Sequence, residues 1–428
     1  MFFIRVLPIP FRRIRLRGLI LRCIIFFLRV FPNFRQDNNW SWMFVVLRGL
    51  IIFVLLPTQI DRLKRSRSRP VVFLLACLLA SLMGCFFAIE ILGFYIYFEL
   101  SALLVFFLVI GLGYQPERLV ARMYLLMFTI MSSMPFFAYR VIRISHTCFA
   151  QFEFLYSSNN LLLNYYSNGF FVLVSLGFLV KFPIYFFHVW LPKAHVEASA
   201  RGSIILAGVL LKLGVYGFYR ISMLINGGLA RMVYFFRLLG GGIISVLCLR
   251  AHDLKILIAY SSVAHIRFLI GAIISNSFLG CTGALGIRIA HGFASRGLFF
   301  GAGIFYAFTN SRLLLFNSGQ LTWAPWFTLI WCLLCFRNIG TPPRFNFWSE
   351  VMLLFSLARF FSLRLILTSI PLFVRVAFRL LLFLLTQRQK ESIGRLSVTI
   401  ATKKDMIISY FHILFLLFVL VFFVLIFK

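Results

Sequence analysis

The sequence predicts an all-α integral membrane protein of about 12–14 transmembrane helices, and three observations predict it. The first is composition. Of 428 residues, 62% are hydrophobic and 13% charged, and the mean hydropathy is +0.97. A soluble domain near 45–50% apolar has no interior large enough for that much apolar surface. The second is length, because the apolar residues come in runs of roughly 20, the number one helical crossing needs. The third is a pair of interrupted spans. Lys181-Phe182-Pro183 and Pro342-Pro343 ahead of Glu350 each set a proline and an ionisable residue inside an apolar stretch. Paired breaks at corresponding positions, roughly 160 residues apart, point to two inverted five-helix repeats with broken helices and a transport site between them.

The elements follow in order. Residues 1–70 form divergent, Arg-laced membrane segments. The run Leu19 to Val30 reads as a first span, because no small-residue cleavage site follows it, and a polar loop lies around Thr58 to Pro70. Residues 71–385 form the membrane core. Clean runs there are Val71 to Ile89, Phe94 to Gly111, Leu119 to Tyr139, Phe170 to Val189, Ser203 to Phe218 and Ile256 to Ile274. A polar stretch, Phe152 to Asn168, divides them. Residues 386–428 supply a charged linker, Gln387 to Asp405, and a last span, Ile407 to Phe427. Multi-pass lipid contact is therefore the expected environment of nearly the whole chain.

The eight cysteines do not form a framework. Most sit singly in apolar runs, where Cys is a small hydrophobe. Cys332 and Cys335 have C-x-x-C spacing without a second pair or a His cluster, and they read as packing residues. Asn39-Trp40-Ser41 fits a glycosylation sequon that matters only on the secretory route. No G-x-G-x-x-G turn opens a helix, and Gly240-Gly241-Gly242 lacks a P-loop lysine. Neither a nucleophile elbow, a cysteine quartet nor a haem-spaced His pair is present, so no redox cofactor or metal is expected in this chain.

The charge is anomalous. A formal net charge of +32 ordinarily suggests nucleic acid, but nucleic-acid binders cluster their cations on a wet face with aromatic platforms. Here nine Lys and 34 Arg are spread along the chain, and Arg122, Arg140, Arg143, Arg267, Arg288, Arg296, Arg375 and Arg379 stand singly in apolar runs. No nucleic-acid partner is expected. Each Arg at mid-span costs about 2.5–3.5 kcal/mol, so these eight oppose insertion by roughly 20–28 kcal/mol. Only 11 acidic residues could offset them. Many invertebrate mitochondrial codes read AGA and AGG as serine. Serine is tolerated at helix contacts because its hydroxyl bonds back to its own helix. Most of the intramembrane Arg are accordingly read as mistranslated Ser. With every Arg so changed, nine Lys would face 11 acidic residues and the excess charge would vanish.

A short set of ionisable residues remains inside the spans: Glu99, Lys181, Lys212, His265, His291 and Glu350. An intramembrane charge is a functional candidate by default. A carboxylate–ammonium pair that can separate changes the proton affinity of both partners, and imidazole can relay protons near neutrality. The plainer readings are structural ion pairing for Glu99, Lys181 and Lys212, and satisfied core histidines for His265 and His291. Glu90 sits near a span end. Lys193, His195 and Glu197 follow Trp190-Leu191-Pro192 and are expected at a membrane surface, while Asp253 and Lys255 are expected in a short loop.

The stretch Lys181 to Arg220, KFPIYFFHVWLPKAHVEASARGSIILAGVLLKLGVYGFYR, resembles the antiporter-like membrane subunits of respiratory complex I. HDLKILIAYSSVAHIRF (His252 to Phe268), AHGFASRGLFFGAG (Ala290 to Gly303), NIGTPPRFNFWSE (Asn338 to Glu350) and GYQPERL (Gly113 to Leu119) resemble further family blocks, together covering roughly residues 90 to 355. The resemblance implies that residues 71–385 are an antiporter-like, proton-translocating core. Glu99 and Lys181 would be a switch pair in one half-channel, Lys212, His265 and His291 a central polar axis, and Glu350 the exit. It also implies a mitochondrial inner-membrane location and partners in the same membrane arm. NADH, flavin, iron–sulfur clusters and ubiquinone would be held by other subunits. The related subunits 2 and 5 usually carry Lys where this chain has Glu350, and would be its neighbours. A cation/proton antiporter of the same family is the alternative. Arg201, Arg267, Arg296 and Arg344 depart from the family pattern, whereas Arg118, Arg220, Arg250 and Arg312 match it.

Overall fold

The computed structural model describes residues 65–112, 117–147, 168–222, 227–342, 345–360 and 364–388, with 406, 409–410 and 412–413 near the C-terminus. They lie in one compact unit, Leu50–Lys428. The readings made for residues 1–64, the Phe152 to Asn168 stretch before residue 168, the linker beyond residue 388 and most of the last span lie outside the described residues.

Helices account for the described structure. They are α1 (Arg65–Phe87), α2 (Ile91–Leu112), α3 (Arg118–Thr147), α4 (Asn168–Lys181), α5 (Trp190–Glu197) and α6 (Ala200–Ile205). A π-helical turn, Leu206–Leu210, continues α6 into α7 (Leu211–Ser222). Then come α8 (Gly227–Arg250), α9 (Leu254–Ile274), α10 (Phe278–Thr309), α11 (Gln320–Trp323), α12 (Pro325–Ile339), α13 (Phe345–Phe360) and α14 (Arg364–Gln387). Among the described residues the one β-type pairing is an isolated bridge between Asp253 and Leu313. The polar loop expected up to Pro70 ends earlier, because α1 already begins at Arg65 and carries Pro70 inside it.

Two sets of five segments follow each other, and the fourth segment of each is broken. The first set is α1, α2, α3, α4/α5 and α6–α7, and the second is α8, α9, α10, α12/α13 and α14. Five crossings deliver the chain to the opposite side, so consecutive sets have opposite orientation. The packing repeats as well. The third helix of each set lies against both halves of the broken one, α3 on α4 and α5, α10 on α12 and α13. The sets meet where α5 packs on α9 and α6 on α10.

Four helical segments among the described residues are long and apolar enough to cross a membrane: Ile91–Gly111, Leu119–Ile142, Gly202–Ser222 and Leu254–Ile274. Their faces show which solvent they meet. On α3, Leu119, Met123, Met127, Met131 and Met134 are exposed, while Ala121, Leu125, Thr129, Ser133 and Phe136 are buried. An apolar face turned outward and hydroxyls turned inward is the pattern of a helix in lipid. The inward hydroxyls bond to their own helix, Thr129 to the Leu125 carbonyl at 2.8 Å and Ser133 to the Ile130 carbonyl at 3.0 Å, and need no partner elsewhere. Gly177 of α4 lies so close to α3 that a Cβ there would meet the Ser132 carbonyl oxygen at 2.9 Å. Small residues permit such approach between membrane helices.

The first break has a backbone cause. Pro183 has no N–H, so the helix cannot continue past Lys181. The Leu179 carbonyl instead accepts from Ile184 N at 3.2 Å, and the Val180 carbonyl accepts from Trp190 Nε1 at 3.0 Å. The apolar run Phe170 to Val189 is thus not one helix. The chain turns from 182 to 189, with Phe186 at φ 79°, before α5 begins. The second break falls at Gly340, whose φ of 81° ends α12 in the left-handed region that glycine adopts without penalty.

Candidate functional site

Each of the six ionisable residues read from the sequence stands on a core helix, close to a break or to the π-turn. Lys181 is the last residue of α4. It is 1% exposed, and its Nζ donates to Glu99 Oε1 of α2 at 3.0 Å and to the Phe98 carbonyl at 3.0 Å. The ammonium also lies 3.2 Å from the centroid of the Phe98 ring. Glu99 Oε2 is buried with no hydrogen-bond partner. Three favourable contacts thus hold the cation at the break, and half of the facing carboxylate is left unsatisfied.

Lys212 follows the π-turn by two residues and is buried. Its Nζ donates back to the Ala207 carbonyl, one of those the widened turn holds. Single π-turns inside α-helices recur at functional sites. Lys212 lies flat against α10, where a Cβ on Gly292 would meet its Cε at 3.3 Å. A cavity of about 10 Å³ opens here between Lys212, His265 and His291, with Phe182 and Arg288 in its wall. That is the lower limit of the volume one water needs, and the surface turned to the cavity is apolar. The two histidine rings are 5.1 Å apart between centroids.

His265 of α9 connects this cavity to the second break. Its Nε2 is 3.3 Å from the Asn338 carbonyl near the end of α12, which also accepts from Arg379 Nη1. Its Nδ1 is 3.5 Å from Glu350 Oε1 of α13 and 2.9 Å from Arg375 Nη1 of α14. Glu350 Oε1 also receives Arg375 Nη1 at 2.9 Å and Asn346 Nδ2 at 3.2 Å. Gly340 opens space for this carboxylate, since a Cβ there would sit 3.2 Å from Glu350 Oε2.

The six residues therefore form three neighbouring groups: Glu99 with Lys181, Lys212 with His291 across the cavity from His265, and His265 with Glu350. Lys181 and Lys212 do not face each other. Their ammonium groups point to Glu99 and to Ala207, and Phe182 stands in the cavity wall beside Lys212. No group of three or more His, Cys, Asp or Glu that could hold a metal occurs among the described residues.

Two surface expectations are corrected. His195 is fully buried, and its ring stacks on Phe299 with centroids 4.4 Å apart; only Lys193 of that cluster is exposed, over the Tyr124 ring. Lys255 is buried too, donating to the Ala198 carbonyl at 2.7 Å. His195 is covered by Phe299 of α10, and Lys255 of α9 by the carbonyls at the end of α5, the helix on which α9 packs. Sequence reasoning also passed over Asn346, one helical turn before Glu350; the i, i+4 spacing to a candidate acid was the available signal.

Most of the isolated Arg whose side chains are described are inside the protein. Arg140, Arg288, Arg296, Arg337, Arg375 and Arg379 are each no more than 5% exposed. Arg379 Nε and Nη2 and Arg375 Nη2 have no hydrogen-bond partner. Arg122 is partly exposed beside the Phe106 ring, and the side chains of Arg143, Arg201, Arg267 and Arg344 lie outside the described residues.

Residues 88–374 match the family described as NADH:quinone oxidoreductase/Mrp antiporter, TM. The chain belongs to this family. Among similar members of the NADH:quinone oxidoreductase/Mrp antiporter family is the NADH-ubiquinone oxidoreductase chain 4 of Locusta migratoria. It is 37% identical over 334 residues, 77% of this chain and 73% of the relative. The chain of the same name from Aedes aegypti is 38% identical over 321 residues, 74% of this chain and 71% of the relative. A solved chain of respiratory complex I from Thermus thermophilus shares the fold, with a TM-score of 0.76 over 89% of this chain and 80% of that one, at 21% identity. The family's membrane fold accounts for the five-segment sets and their broken fourth helices.

Proposed function

We propose that the chain is subunit 4 of mitochondrial NADH:ubiquinone oxidoreductase, a multi-pass inner-membrane subunit that moves protons and carries no redox centre of its own. The observation that carries the reading is that ionisable groups stand at both breaks and on the helices packed between them. Glu99–Lys181 stands at one, His265–Glu350 at the other, and Lys212 and His291 flank a water-sized cavity between them. A broken helix exposes carbonyls that tolerate a charge or a water in the membrane interior, and here both breaks hold an ionisable side chain.

The residues divide the work by position. Separation of Lys181 from Glu99 would free a cation at the end of α4 and raise the carboxylate's affinity for a proton. Lys212, His291 and His265 would pass a proton through the cavity, and Glu350 would receive it at the second break. Redox chemistry on NADH, flavin, iron–sulfur and ubiquinone centres of other subunits would drive the change. Subunits 2 and 5 are the proposed neighbours. Residues 71–385 are the proposed translocating core, with 1–70 and 386–428 as flanking membrane segments.

A monovalent cation/proton antiporter is the second reading, favoured only by the breadth of the family description. The curated relatives favour the first, because those at 37–42% identity are named NADH-ubiquinone oxidoreductase chain 4. Affinity purification of the native chain separates the two. Co-purification with NADH-oxidising subunits is expected, and a complex of antiporter subunits without NADH oxidation would overturn the assignment.

A further inference from the structure

Lys255 of α9 closes the far end of α5. That helix stops at Glu197, so the carbonyls of its last turn lack the next turn's N–H donors. Lys255 Nζ donates to two carbonyls there, Val196 at 3.3 Å and the capping residue Ala198 at 2.7 Å. A cation at this end also meets the negative pole of the helix dipole. Lys255 is 6% exposed, so the bonds form away from water.

A second cation reaches the same end. Arg312, in the connection between α10 and α11, has Nη1 3.7 Å from Oε1 of Glu197, the last residue of α5. Backbone contacts tie the two cations together. Leu254 N donates to the Arg312 carbonyl at 3.0 Å, Leu314 N donates to the His252 carbonyl at 2.9 Å, and Asp253 bridges Leu313. Lys255 and Arg312 thus belong to one clasp of the second five-helix set, and they grip a half-helix of the first.

The start of α5 is bonded as well. Trp190 donates to the Val180 carbonyl at 3.0 Å, one residue before Lys181. Eight residues of helix, about 12 Å, separate the two ends. Pro192 lies in the first turn, where no intrahelical N–H bond is lost, and α5 packs on α3 of its own set and α9 of the other. A helix this short and straight carries a shift from one end to the other.

We propose that Lys255 is a positioning residue for the first break: by capping α5 from the second set, it fixes Trp190 and with it the site of the Lys181–Glu99 pair. The inference rests on the proton-path reading and adds a mechanical link between the two sets. Lys255 moves no proton in it and acts through α5 alone.

The test is the proton-to-NADH ratio and the NADH oxidation rate of the assembled complex in liposomes. The variants are Lys255→Met, Lys255→Arg, Trp190→Phe and the double variant Lys255→Met with Trp190→Phe, with Glu99→Gln setting the scale. A hydrogen bond to a charged group is worth roughly tenfold or more in an equilibrium. Lys255→Met is therefore expected to lose much of the ratio that Glu99→Gln loses, with NADH still oxidised. Lys255→Arg keeps a cationic donor and is expected to recover most of it. Releasing either end of α5 frees the same helix, so the double variant is expected to lose no more than the worse single one. Should Lys255→Met not assemble, Lys255→Gln is measured in its place. An unchanged ratio overturns the proposal. So does a loss that Lys255→Arg fails to recover, or losses that add in the double variant. Normal pumping by Glu99→Gln would instead overturn the proton-path reading on which the proposal rests.

Discussion

Lys181 Nζ and Glu99 Oε1 meet at 3.0 Å across 82 positions of sequence, at the residue where α4 ends. Pro183, two residues on, cannot continue the helix, so the ion pair stands at the break.

Removing one partner of a buried pair leaves the other uncompensated, which costs about 3–5 kcal/mol. Lys181→Met alone is therefore expected to lower the thermal stability of the assembled complex, measured by loss of NADH oxidation on heating. Lys181→Met combined with Glu99→Gln should recover most of that stability and none of the pumping. Equal stability of the single and double variants would show that the contact is not a buried pair.

Trp190 closes the first break by donating to the Val180 carbonyl at 3.0 Å. Trp190→Phe keeps the bulk and removes the donor, leaving a buried carbonyl unsatisfied at a cost of about 1–3 kcal/mol. Reduced stability with a normal NADH-binding rate is expected. A variant as stable as the parent would mean that the carbonyl finds another donor.

Gly340 combines a φ of 81° with a near approach to the Glu350 carboxylate. Gly340→Ala adds left-handed strain of about 1–2 kcal/mol and a methyl group within 3.2 Å of Oε2. Assembly is expected to survive with impaired pumping, read as the proton-to-NADH ratio. An unchanged ratio would show that Glu350 does not need that space.

The buried guanidinium groups make a chemical prediction. Chymotryptic peptides of the native chain that span residues 267, 296, 344, 375 and 379 are expected to carry serine. Arg379 Nε and Nη2 have no hydrogen-bond partner, and neither does Arg375 Nη2, a costly state for a buried charge. Serine at these positions leaves Glu99, Lys181, Lys212, His265, His291 and Glu350 as the principal ionisable line of the core. Arginine at all five would place permanent cations along it.

Much of this was legible in the sequence, for identifiable reasons. An ionisable residue in an apolar run is visible without a structure, so Glu99, Lys212 and Glu350 stood out. Pro183 and Pro342 marked both breaks, because a missing N–H is a property of one residue. What was not legible depended on which helices touch. His195 and Lys255 look peripheral beside turn residues, and only the packing of α5 against α9 and α10 buries them. Asn346 carries no charge and titrates nowhere, so its place beside Glu350 and His265 appeared only when α9 brought His265 to within 3.4 Å of its amide.

The most direct measurement of the central claim is the proton-to-NADH ratio of the assembled complex carrying Glu99→Gln, in sealed liposomes with NADH oxidation monitored in parallel. Glutamine keeps the size and a hydrogen-bonding oxygen for Lys181 but cannot accept a proton. The account predicts that the complex assembles and oxidises NADH while its proton-to-NADH ratio falls. An unchanged ratio in a complex that contains the variant chain would contradict it.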